Sequence, residues 1–380
     1  MILTVLVFIL TLGVLVLVHE FGHYFAAKKF NVKVLEFGFG LPPKLWGKKI
    51  GETIYSLNWL PIGGFVRLLG EDEVPGQEVK KPEANRWFSN QPVWQRIVVV
   101  VAGVVMNLLL ATVLFYGVLG FSNFKEKIPL LVPHNFVGVS QVDETLGIFI
   151  GEVAPNSPAQ KAGMISGERI AFLNGQNVSD EKVFIEEIKR LGGQEVTLLL
   201  EDNQGKSREV KVSPRVDPPP GEGSLGVRLG SLKVANLAYE TPTQKALSGF
   251  YHSYNLTAYS MKIFGRLLGD AFKTRDLGAV SESVAGPVGI TQMTGTILST
   301  ENPIIPYLNF VALLSLNLAV VNILPFPALD GGRLIFLVIE GVFRKKVKAE
   351  VERWVHTAGM AILLTLIILI TVSDLKKIFF

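Results

Sequence analysis

The sequence predicts a polytopic α-helical membrane protein with four transmembrane helices. A small membrane-associated β-hairpin or sheet and one extracytoplasmic α/β domain complete the expected fold. Three observations carry this expectation. Residues 1–18 contain no charged side chain, and three further apolar runs reach the ~20 residues a bilayer requires. Between the first two runs the chain alternates and is punctuated by Gly and Pro, a strand signature. Between the second and third lies a long polar stretch with regular turn signals. Hydrophobic residues make up 49% of the 380-residue chain, and the mean hydropathy of +0.38 is high for a soluble protein.

Charge and cysteine content narrow the chemistry. A formal net charge of +4 is too small to indicate a nucleic-acid partner. The chain has no cysteine, so disulfides are excluded and a metal must be held by His, Asp or Glu.

Residues 1–30 form the first expected span. A cleaved signal peptide would need a basic leader and a small-residue cleavage site, and neither is present, so the run is read as a retained helix. Residues 31–95 are expected to hold the strands, with runs at 37–40, 54–59 and 61–68 around a Pro/Gly turn, followed by a polar loop. Non-helical backbone at membrane depth is tolerated only beside protein or a wet cavity, so this segment is expected to dip toward the membrane under shelter. Residues 96–121 are the second span. Gly103 and Asn107 sit four apart on it, a pattern that marks close helix packing with a hydrogen bond across it.

Residues 125–215 are soluble in character. They carry Gly151-Glu152-Val153-Ala154-Pro155, Ala162-Gly163-Met164, Gly167-Glu168-Arg169-Ile170 and the hairpin signal Asn174-Gly175, then a helical run and two strands. These residues resemble a bacterial-type PDZ domain. Leu146-Gly147-Ile148 is one candidate for its carboxylate-binding loop, and Leu225-Gly226-Val227 is the rival. Residues 216–302 open with the stiff linker Pro218-Pro219-Pro220-Gly221, after which 225–238 are able to add a strand. An amphipathic helix follows at 241–272, expected along the membrane surface. Residues 303–342 hold the third span and the sequence Asn322-Ile323-Leu324-Pro325-Phe326-Pro327-Ala328-Leu329-Asp330-Gly331. Residues 343–380 hold a basic loop, the fourth span and the tail.

The chemistry concentrates where the first span ends, at His19-Glu20-Phe21-Gly22-His23. Two histidines four apart share one helix face, as two metal ligands require, and the glutamate between them is placed to take a proton from water. Ionisable groups at the end of a span are costly unless they serve a purpose. A catalytic zinc takes three protein ligands. His134, His252 and His356 lie in unsuitable segments, which leaves Asp330 as the best third candidate. The competing reading of Asp330 is an N-cap of the helix after it. Asn322 is a candidate donor to a developing oxyanion, or else a cap or an interhelical hydrogen bond.

With these motifs in place, the chain resembles the site-2 protease family of intramembrane zinc metalloproteases, and within it the PDZ-bearing bacterial type that regulates sigma-E responses. The resemblance rests on His19 to His23, on Gly103 to Asn107 and on Asn322 to Gly331. It implies a zinc held by His19, His23 and Asp330, Glu20 as the base, and Asn322 holding substrate or the oxyanion. It also implies that the strand segment, with Gly63, Gly64 and Phe65, pairs with an unwound substrate. Many relatives carry two PDZ domains in tandem, and this chain shows one.

Lysines 28, 29, 33, 44, 48 and 49 after the first span, and Arg344, Lys345, Lys346 and Lys348 before the fourth, mark cytoplasmic loops. Both termini and the PDZ-like domain then lie outside a plasma (inner) membrane, with the metal motif toward the cytoplasm. Lys376 and Lys377 weakly oppose this. The expected partners are the bilayer, single-pass membrane substrates such as trimmed anti-sigma factors or signal-peptide remnants, and a peptide C-terminus at the PDZ-like domain. That domain would otherwise act as a size filter. The alternatives are a membrane-anchored PDZ scaffold with a non-catalytic metal site, and a metal transporter. The spans are poor in the extra acids and histidines a transporter needs.

Overall fold

An uncharged apolar run has no partner in a bilayer for its peptide groups except itself, so it becomes a helix. The computed structural model describes residues 2–71, 81–202, 205–274 and 285–379. The first run is α1 (Ile2–Lys29). Strands β1 (Val34–Ile50) and β2 (Thr53–Leu68) follow, then two 3₁₀ turns, Lys81–Arg86 and Phe88–Asn90, and α2 (Val93–Phe121). Next come β3 (Lys125–Pro129), β4 (Ser140–Val153), α3 (Pro158–Lys161), β5 (Arg169–Leu173) and β6 (Gln176–Asn177). They lead to α4 (Glu181–Arg190), β7 (Val196–Glu201), β8 (Ser207–Val212) and β9 (Val227–Ala238). The chain closes with α5 (Pro242–Ala246), α6 (Ser248–Thr274), α7 (Pro287–Leu298), α8 (Ile304–Ile323), α9 (Asp330–Phe343) and α10 (Ala349–Phe379). Among the described residues four helices are long and apolar enough to cross a membrane: α1, α2, α8 and α10. The chain divides into two units, Met1–Asn123 with Ala246–Phe380, and Phe124–Lys245.

In the first unit, α2 packs between α1 and α8. Ala111 and Phe115 of α2 meet Ala312 and Leu316 of α8, and Ser315 Oγ donates to the Asn107 carbonyl at 2.8 Å. Thr11 and Tyr307 join α1 to α8 through their hydroxyls. The expected third span breaks at Leu324, because Pro325 and Pro327 cannot continue an α-helix, and α9 starts afresh at Asp330. Arg96 and Glu340 form a buried two-pronged pair between α2 and α9, at 2.9 and 2.5 Å.

The strand segment is a hairpin folded into a sheet. Phe37 pairs with both Val66 and Tyr55, and Gly38 with both Phe65 and Ser56. The early part of β1 is therefore flanked on both sides by β2, and residues 64–68 form an outer edge. Glu52 at the turn binds Lys28 at 2.6 Å and Arg86 twice at 2.7 Å, tying the hairpin to α1. Leu45, Trp46, Trp59 and Leu60 stand exposed at the far end, an apolar patch of the kind that contacts lipid.

Helix α6 covers most of the expected amphipathic run. Its buried residues are small or polar, including Gly249, His252, Ser253 and Asn255, whereas Phe250, Tyr254 and Phe264 are exposed. Ser253 Oγ lies 3.3 Å from Thr112 Oγ1 of α2, and the His252 ring meets Phe115 edge-on at 4.9 Å. Small and polar faces drive helix association in lipid, where apolar faces gain nothing by burial.

The second unit is a sheet of order β3-β9-β4-β5-β7-β8, with β6 beside β5. Its core joins Ile148, Ile150, Ile170, Leu198 and Leu200 to Phe184 and Ile188 of α4. The unit runs past residue 215, because β9 pairs with both β3 and β4. Leu146-Gly147-Ile148 is strand rather than loop: Ile148 pairs with Ile170 on one side and Ser231 on the other. At Ile148 no edge is open to an added strand. Leu225-Gly226-Val227 instead opens onto β9, whose Val227 to Leu232 pair only with β4 among the described residues.

Candidate metal centre

Helical spacing puts His19 and His23 one turn apart on α1, and their Nε2 atoms are 3.2 Å from each other. Asp330, in the first turn of α9, brings Oδ2 to 3.0 Å from His19 Nε2 and 3.4 Å from His23 Nε2. A tetrahedral ion with bonds of ~2.0–2.1 Å separates its ligand atoms by about 3.3–3.4 Å, so the three sides of this triangle suit one. Asp330 Oδ2 is buried without a hydrogen-bond partner. The N-cap position of α9 is occupied by Leu329, so Asp330 does not cap the helix. An orphaned carboxylate oxygen facing two imidazole nitrogens is unfavourable unless a cation joins them. The donor set of two imidazoles and a carboxylate fits zinc.

The outer nitrogens are held as metal-binding histidines require. His23 Nδ1–H donates to the Val99 carbonyl at 2.8 Å, which leaves Nε2 with its lone pair. Asn107 is fully buried. Its Nδ2 lies 3.3 Å from His19 Nδ1, and its Oδ1 has no partner. The amide is nearly symmetric in shape and, turned about its terminal bond, brings Oδ1 to the ring. Nδ1–H then donates to Oδ1, and Nε2 is free for a metal. Gly103 makes room for this arrangement, because a Cβ there would strike His23 Nε2 and stand 2.8 Å from His19 Cε1. Gly22 does the same from the other side, against the Ala102 backbone. Gly103 and Asn107 were legible as a packing pair. Their contact with the metal-binding rings was not.

Glu20 faces a cavity of about 850 Å³ lined by His19, His23, Asp330 and residues Gly64 to Leu68. Val66 lines the same cavity as Glu20. Gly64 lies flush against it, since a Cβ there would sit 3.0 Å from Glu20 Cγ. Gly63, with φ of +85°, turns the chain into this edge, and the Phe65 ring folds over Gly38. Asn322, half-buried near the end of α8, holds Nδ2 3.4 Å from His19 Nε2. The predicted residues His19, Glu20, His23, Gly64, Phe65, Asn322 and Asp330 thus gather around one cavity and its metal-binding triangle.

Fold and site together define a membrane protein with a candidate metal site, His19, His23 and Asp330, beside a glutamate. The chain belongs to Peptidase family M50, which it matches over residues 7–366, and it is a zinc metalloprotease of the site-2 type. A protein of Clostridium acetobutylicum that bears a zinc-metalloprotease name is 32% identical over 371 residues, spanning 97% of this chain and 96% of its own. The regulator of sigma-W protease RasP of Bacillus subtilis is 27% identical over 455 aligned residues, spanning 99% of each chain. A zinc-metalloprotease homologue of Nostoc sp. is 31% identical, spanning 98% of this chain and 95% of its own.

Proposed function

We propose that this protein is an intramembrane endopeptidase of regulated intramembrane proteolysis. It cuts single-pass membrane proteins, either anti-sigma factors whose outer domains have already been trimmed or signal-peptide remnants. The observation that carries this reading is Glu20 lying between the His19–His23–Asp330 triangle and the outer strand edge at residues 64–66. The Bacillus subtilis relative, named as a regulator of sigma-W protease, supports substrates of the same regulatory kind.

His19, His23 and Asp330 would hold the zinc, which would supply Lewis-acid polarisation and activation of a water there. Glu20 takes the proton of the attacking water and returns it to the leaving amine. Asn322 donates through Nδ2 to the oxygen on which charge develops, a contribution worth ~10²–10³ in rate where a single donor is removed. A peptide bond inside a substrate helix is shielded, so the substrate unwinds before attack. The edge around Gly63, Gly64 and Phe65 receives the unwound segment as an added strand, and the exposed Trp46 and Trp59 seat the sheet in lipid.

The basic loops orient the metal centre toward the cytoplasm and the PDZ-like unit toward the outside of the plasma membrane. In that unit, the β9 edge after Leu225-Gly226-Val227 receives an extended peptide end. A non-catalytic scaffold has no use for Glu20 beside the ligands. The test is cleavage of a model single-pass protein in membranes by Glu20→Gln, with zinc content measured on the same preparation. Loss of ~10²-fold or more with zinc retained is expected, and cleavage at the wild-type rate would refute the reading.

A further inference from the structure

The chain from Leu324 to Leu329 carries Asp330, and its shape decides where the carboxylate points. Its own hydrogen bonds are few: Phe326 N–H to Leu324 O at 2.7 Å, Leu329 N–H to Phe326 O at 3.2 Å, and Gly332 N–H to Leu329 O at 3.0 Å. Ala328 holds φ at +75°, a left-handed conformation that a residue with a Cβ adopts only when its surroundings enforce it. The enforcing contact comes from another helix. The Ala328 N–H donates to His356 Nδ1 of α10 at 2.9 Å. One turn further along α10, Gly359 lies so close to Pro327 that a Cβ on it would sit 2.7 Å from the Pro327 carbonyl carbon. Along much of α10 the apolar side chains are exposed, among them Ile362, Leu364, Leu366, Ile368 and Leu369. Its far end is pinned elsewhere. Asp374, buried, accepts from the N–H groups of Gly286 and Gly289 at 2.9 and 2.8 Å, capping α7.

We propose that His356, seated by Gly359, is a positioning residue for the metal centre: it locks Ala328 in its left-handed turn and so aims Asp330 at the histidine pair. A ligand's productive geometry is held to ~0.5 Å by its supporting contacts. A small backbone rotation at Ala328 or Leu329 swings Asp330 Oδ2 out of reach of His19 and His23. The inference rests on the assignment of Asp330 as a ligand, and the test separates the two.

Zinc affinity is measured on the full-length protein in detergent by chelator competition, with thermal stability recorded alongside. His356→Leu is expected to weaken zinc binding by ~10–100-fold, the usual loss for an outer contact of a metal ligand. His356→Asn, whose Oδ1 accepts the same N–H, recovers most of it. Asp374→Ala, which removes the acceptor at the other end of the same helix, lowers thermal stability but leaves zinc affinity at the wild-type level. Wild-type affinity in His356→Leu, or equal zinc loss in His356→Leu and Asp374→Ala, would overturn the inference. Should His356→Leu fail to accumulate, Gly359→Ala serves in its place, with the same weakening expected and unchanged affinity overturning the proposal. Asp330→Ala is the reference arm: zinc retained at wild-type affinity there refutes the ligand assignment itself, whatever His356 does.

Discussion

His19 Nε2 and Asp330 Oδ2 stand 3.0 Å apart although they come from opposite ends of the chain. Neither helix meets the other by sequence proximity. Their approach is built by α2, which packs against both α1 and α8, and by the proline-broken turn that starts α9. The metal centre is therefore a product of helix packing, and variants in the packing residues report on it.

Asn107 is the most direct case. Replacing it with Leu removes the amide that orients His19 and leaves Nδ1 buried without a partner. Zinc affinity is expected to fall ~10–100-fold, measured by chelator competition. Asn107→Asp, which keeps an acceptor at Nδ1, is expected to stay closer to wild type.

A change at Gly64 tests the placement of Glu20 apart from metal binding. A valine there meets Glu20 Cγ and Val16 Cγ1, each 3.0 Å from the position of its Cβ. Displacing a catalytic group by about 1 Å costs ~10²-fold in rate. Gly64→Val is expected to lose cleavage of a membrane substrate on that scale while its zinc content, read by metal analysis, is unchanged.

The hairpin anchor is acid-sensitive. Arg86 and Lys28 hold the Glu52 carboxyl well below its ordinary 4.5, at about 2. Its pKa is lower in the folded than in the unfolded chain, so the anchor contributes stability above pH 4.5, and that contribution fades as pH falls toward 2. Tryptophan fluorescence of the hairpin is expected to report loosening across that window. Glu52→Gln is expected to flatten the pH dependence there, at the cost of a looser hairpin at neutral pH.

The Arg96–Glu340 pair joins a buried arginine to a largely buried glutamate, at 8% and 14% side-chain exposure. Removing one partner strands the other charge, and Arg96→Met alone is expected to destabilise by ~3–5 kcal/mol. The double change Arg96→Met with Glu340→Leu is expected to recover most of that loss. Thermal unfolding in detergent distinguishes the two.

Much of this was legible in the sequence because its physical causes are local. The uncharged run before His19 dictates α1, and His19 with His23 needs only the helical period to share a face. Pro325 and Pro327 dictate the break before Asp330. The unread parts depend on partners that local pattern does not name. Helical period puts Asn107 on a face of α2, but the neighbour on that face, the His19 ring, is set by how α1 packs. The runs at 37–40, 54–59 and 61–68 imply a hairpin or small sheet, whereas the second pairing of Phe37 and Gly38 depends on how β2 folds back. The amphipathicity of α6 is visible, but which face is buried depends on whether its surroundings are lipid or water. Leu146 to Ile148 is offered as a carboxylate-binding loop by the PDZ resemblance, yet it lies within β4, where Ile148 is paired on both sides.

The central claim is that one zinc is held by His19, His23 and Asp330. Zinc-edge X-ray absorption on the full-length protein tests it most directly. The account predicts one zinc per chain, with two imidazole nitrogens and carboxylate oxygen at ~2.0–2.2 Å, and loss of that shell in Asp330→Ala. A zinc shell without the imidazole pair, or one unchanged in Asp330→Ala, would contradict it.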